Sequence, residues 1–134
     1  MRRLPVIAAA ALGVALLAGC GGGGTDTSKT IYSRDKSMAC LRDAGAKIGG
    51  ELDFVASTAT GGAFRARLAD NFVTVVFGQT VEDADNIDQA YVHFHQKNVG
   101  IEDVLRQQGN AVMLWHEHPV DEDLAEVTGC LKKP

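Results

Sequence analysis

Hydrophobic positions recur along this 134-residue chain in two rhythms, and the switches between them mark its elements. Met38, Leu41 and Ala44 fall three residues apart, which predicts a first helix from Ser33 or Ser37 to Ala44, closed by Gly45. Leu52-Asp53-Phe54-Val55 suggests a short strand. Phe64-Arg65-Ala66-Arg67-Leu68 then alternates strictly, putting apolar side chains on one face and two arginines on the other. Asp70-Asn71 makes a turn into Phe72–Phe77, whose β-branched and aromatic residues complete an antiparallel hairpin. Thr80 caps a long helix with a stripe of Val81, Ala84, Ile87, Tyr91 and Phe94, and with Glu82, Asp83 and Asp85 at the end where the helix dipole favours anions. Ile101 to Gln107 reads as a short helical turn, and Ala111–Trp115 as a wholly apolar strand. Asp121 is expected to cap a last helix whose stripe is Leu124, Val127 and Leu131. The order α-β-β-α-β-α describes one α+β domain over residues 31–134, with a small, mainly antiparallel sheet of about three strands covered by helices.

The residues before it follow a different pattern. Met1-Arg2-Arg3 is basic, and Leu4 to Leu17 is an uncharged run that is too short to span a bilayer but suits the apolar part of an export signal. It ends in Leu17-Ala18-Gly19-Cys20, where small residues admit the backbone to a peptidase and the thiol can form a thioether with a lipid. This segment resembles the lipobox of bacterial lipoprotein precursors. The resemblance covers residues 1–20 and implies removal of residues 1–19, lipid on Cys20, and a protein held on the outer side of the cell membrane or at the outer membrane. Acyl chains contribute about 0.8 kcal/mol per buried methylene, so several chains anchor permanently where one is marginal. Gly21–Gly24 and the small polar residues to Thr30 form a tether with a reach of roughly 17 Å.

Composition changes the picture at two points. Without Arg2 and Arg3, 11 basic side chains face 17 acidic ones, and so acidic a domain is repelled by phosphate backbones, which excludes nucleic acid as a partner. With Cys20 assigned to lipid, Cys40 and Cys130 remain as an even pair in an oxidising compartment, where a disulfide is expected. Each precedes a leucine on an expected helix, which places the first and last helices side by side.

Candidate chemistry is sparse. All four histidines occur as His-x-His pairs, His93/His95 and His116/His118. On a strand, residues i and i+2 lie on one face ~6.6 Å apart, a spacing that suits two imidazoles on one zinc or copper ion. His116 and His118 follow the apolar strand, and His95 is the candidate third ligand. Arg65, Arg67 and Trp115 are a second candidate, an interaction face on the sheet for an envelope protein, because arginine and tryptophan anchor interfaces. The sequence contains no Gly-x-Ser-x-Gly, no glycine loop for phosphate and no nucleophilic cysteine motif. The expectation is therefore a non-catalytic, lipid-anchored binding or accessory lipoprotein of the cell envelope, with metal binding or delivery as the alternative.

Overall fold

The alternation of the hairpin sets up the architecture. In the computed structural model, which describes residues 27–94 and 100–134, β2 (Ala63–Leu68) and β3 (Asn71–Phe77) pair antiparallel with Leu68 opposite Asn71. β5 (Ala111–Trp115) lies on the other side of β3, so the most apolar strand is an interior one. Two further strands lie at the edges: β1 (Lys47–Ile48) beside β2, and β4 (Leu105–Gln108) beside β5. The sheet thus has five antiparallel strands in the order β1-β2-β3-β5-β4, where about three were expected. β1 has two residues, too few to show any period. β4 follows a single helical turn, α4 (Ile101–Val104), so the helix expected over 101–107 turns extended at Leu105.

The remaining helices are α1 (Arg34–Asp43), α2 (Phe54–Ser57), α3 (Val81–Phe94) and α5 (Asp121–Gly129). Ser33, not Ser37, caps α1; its hydroxyl accepts from the Lys36 N–H. Ser37 is buried instead, and its hydroxyl accepts from the Lys132 N–H at 3.0 Å. The strand expected over 52–55 is replaced by α2, because the Asp53 carboxylate accepts from the Ala56 N–H at 2.9 Å and so starts a helical turn. Thr80 caps α3 as expected, accepting from the Asp83 N–H. Asp121 is the first residue of α5 rather than its cap, a position held by Val120, and it still sits where the helix dipole favours an anion.

Strand alternation sends side chains to two cores. On one face Phe64, Ala66, Leu68, Val73, Val75, Phe77, Met113 and Trp115 pack under α1 and α5, with Leu41, Val127 and Leu131. The Cys40–Cys130 disulfide joins these two helices, with Cα atoms 5.3 Å apart. On the other face Ala63, Val76, Val112 and Leu105 pack under α3 through Ala84, Ile87 and Tyr91. Phe94, expected in that stripe, is 65% exposed, as is much of Phe54 on α2, at 73%. Asn110 fixes the approach of the chain to α1. Its buried side chain accepts from the Tyr32 N–H at 2.6 Å and donates to the carbonyls of Tyr32 and Gly78.

Candidate functional site

Register turns the second face of the sheet into rows of decreasing apolarity. Ala63, Val76 and Val112 form the first row across β2, β3 and β5, and all three are buried beneath α3. Arg65, Thr74 and Leu114 form the next, continued by Leu105 on β4. Arg67 and Phe72 form the third, and His116 joins it through its N–H, which donates to the Phe72 carbonyl at 2.9 Å. In the second row α3 covers Leu105, and a cavity of about 450 Å³ lies over Arg65, Thr74, Leu114 and the third row.

Its floor is Arg65, Phe72, Thr74, Leu114 and His116. Glu51 and Asp53, from the β1–α2 connection, form one wall, and Ile101 and Val104 of α4 form the other. The floor is ordered by stacking. The guanidinium carbon of Arg65 lies 3.6 Å from the centre of the Phe72 ring, and the His116 ring stacks on Phe72 at 4.3 Å with the planes 18° apart. A guanidinium laid on an aromatic face is held by cation–π attraction while its N–H edge stays free to donate in its own plane. Arg65 also makes a long 3.5 Å contact to the Glu51 carbonyl, and it forms no ion pair among the described residues. Gly50 permits this placement: its φ is +124°, and a Cβ there would stand 2.9 Å from the Arg65 Cδ.

The acidic wall is built from within. The Tyr91 hydroxyl donates to both oxygens of Asp53, at 2.9 and 3.1 Å, while the same carboxylate starts α2. Burial, reinforced by the hydrogen bond and the negative charge of Asp53, pushes the Tyr91 phenol well above the ordinary tyrosine range, so it stays a donor. Asp53 is thereby fixed in place, whereas Glu51 extends into solvent.

The residues singled out from sequence separate in the fold. Arg65 lies in the cavity; Arg67, one row on, faces a smaller recess that it shares with Gly49, Gly50, Phe72 and the flank of Arg65. Trp115 borders the cavity at the end of β5. Its side chain belongs to the core under α1 and α5, on the opposite face, where its indole N–H has no acceptor among the described residues. β5 ends at Trp115, so His116 and His118 are not two residues of one strand, and both are exposed. Among the described residues no three of His, Cys, Asp and Glu come together as a metal site. His93 is exposed on α3; His95 and Cys20 lie outside the described residues.

Sequence reasoning missed Phe72, Thr74, Leu114, Glu51, Asp53, Ile101 and Val104. One signal was present: Thr74 is a polar residue at the centre of Phe-Val-Thr-Val-Val-Phe, on the same alternation as Phe72 and Val76. It marks the point where that face leaves its helical cover. A second recess, of about 270 Å³, runs between α2 and α3 and is lined by Phe54, Val55, Ala59, Ile87, Ala90 and Phe94. Among the described residues no helix is long and apolar enough to cross a membrane. No protein-family model, curated protein or solved structure matches this chain.

Proposed function

We propose that this chain is a lipid-anchored, extracytoplasmic binding lipoprotein of the bacterial envelope, and that its non-catalytic role is to hold a small ligand over the uncovered rows of the sheet. One observation carries the ligand site: the Arg65 guanidinium stands over the Phe72 ring inside a walled cavity, without a carboxylate partner among the described residues. Cavities of this size, with apolar lining and a few fixed polar groups, are the usual form of small-molecule sites. The anchoring half of the reading rests on Leu17-Ala18-Gly19-Cys20, and the Cys40–Cys130 disulfide accords with an oxidising compartment. Metal handling is the weaker reading, because His116 is engaged in the stack on Phe72.

Two measurements test the proposal. Mass spectrometry of the protein from its native membrane should find residues 1–19 removed and a diacylglyceryl group on Cys20; an unmodified Cys20 would overturn the anchoring. Native mass spectrometry of the full chain after exposure to a small-molecule extract of the envelope should show bound adducts that Arg65→Ala loses. Adducts retained equally by Arg65→Ala would overturn the cavity as their site.

A further inference from the structure

Resting on the reading of this cavity as a ligand site, we infer that its ligand class is a small monocarboxylate with an apolar body. The anion is assigned by Arg65. Its guanidinium presents several N–H donors in one rigid plane, a geometry that matches the two oxygens of a carboxylate, and stacking on Phe72 fixes that plane before the ligand arrives. Half-burial strengthens the attraction relative to an arginine in open solvent. Thr74, next to Arg65 in the same row, adds a hydroxyl that can donate to the same group.

The apolar body is assigned by the surfaces around that charge. Leu114 on the floor and Ile101 and Val104 on the wall offer carbon where the ligand leaves the guanidinium. The walls also limit the charge to one. A second anionic group would meet Glu51 or the fixed carboxylate of Asp53, and Arg67 lies in the adjoining recess, one row away. Dicarboxylates therefore lose at one end what they gain at the other. A primary amine gains only from the acidic wall and sets a like charge against Arg65.

The test uses the full chain, ¹⁵N-labelled and solubilised in dodecyl maltoside, titrated with phenylacetate, 2-phenylethylamine, 2-phenylethanol and phenylsuccinate. These probes share one ring and differ in charge. Phenylacetate is expected to shift the amide resonances of Arg65, Phe72, Thr74 and Leu114 saturably, and to bind at least ten-fold more tightly than the other three. Arg65→Gln should weaken phenylacetate at least ten-fold, Arg65→Lys by less, and Arg67→Gln by no more than two-fold. If the amine, the alcohol or the dicarboxylate shifts the same residues with equal affinity, the ligand class is wrong and the cavity stands as a binding site. If no probe moves those residues, both the ligand class and the cavity reading fail. If Arg65→Gln does not fold, Arg65→Lys decides: unchanged phenylacetate affinity would overturn the role given to the planar guanidinium.

Discussion

The two faces of the sheet come from the same strands and the same alternation, yet they are finished differently. Under α1 and α5 the rows from Phe77 to Trp115 are apolar across β2, β3 and β5, Arg106 and Gln108 joining them only on the edge strand β4, and a disulfide ties the covering helices together. Under α3 the first row and Leu105 of the second are closed; the rest of the next two rows carries Arg65, Thr74, Phe72 and His116 into a cavity. One face concentrates burial, and the other leaves half its width to polar and aromatic groups. The comparison teaches that a closed core and an open cavity are divided here between alternate residues of the same strands.

The largest expected effect breaks the closed face. Replacing Cys40 and Cys130 together by alanine opens a loop spanning a sequence separation of 90 residues, and should lower the unfolding free energy by about 3–5 kcal/mol in chemical denaturation. A pair of leucines sharpens the contrast. Leu41→Ala empties a fully buried position under α1 and should cost about 3 kcal/mol. Leu114→Ala, half-exposed on the cavity floor, should cost about 1 kcal/mol, and equal losses at both positions would erase the distinction between the faces.

Smaller effects probe α3. Tyr91→Phe removes the donor that fixes Asp53 and should cost about 1 kcal/mol, seen as a lowered midpoint in urea. The smallest concerns Asp88, whose carboxyl is raised above the ordinary aspartate range by burial and by neighbouring Asp85. The folded chain then takes up this proton more readily than the unfolded one, so this contribution to stability grows as pH falls from neutral through the raised value. Asp88→Asn should be slightly more stable than the parent at neutral pH, and the difference should vanish in acid. A constant difference across that range would show that Asp88 carries no such penalty.

How much of this could be read from sequence follows from the range of the signals. The hairpin, α3 with its Thr80 cap, the strand Ala111–Trp115 and the disulfide all rest on patterns within a dozen residues or on counting cysteines, and all are present. The edge strands rest on nothing so local. β1 is two residues long, and β4 shares its segment with the helical turn that precedes it. At 52–55 hydrophobicity suggested a strand, but the capping chemistry of Asp53 prevailed. The site was legible at Arg65 and, for a different chemistry, at His116, since the cavity is assembled by register: Arg65 meets Thr74, Thr74 meets Leu114, and no periodicity along the chain states that alignment. Trp115 was assigned to the interaction face, whereas strand alternation carries it into the closed core.

The disulfide also decides how the molecule carries a mechanical load. Traction applied upstream of Ile31 and resisted beyond Leu131 passes along α1 to Cys40, crosses to Cys130 and leaves by the C-terminal residues. All five strands and every residue lining the cavity, from Glu51 to His116, lie inside the covalent loop and off that path. A domain loaded in this way could lose its first helical turns while the cavity lining stayed folded.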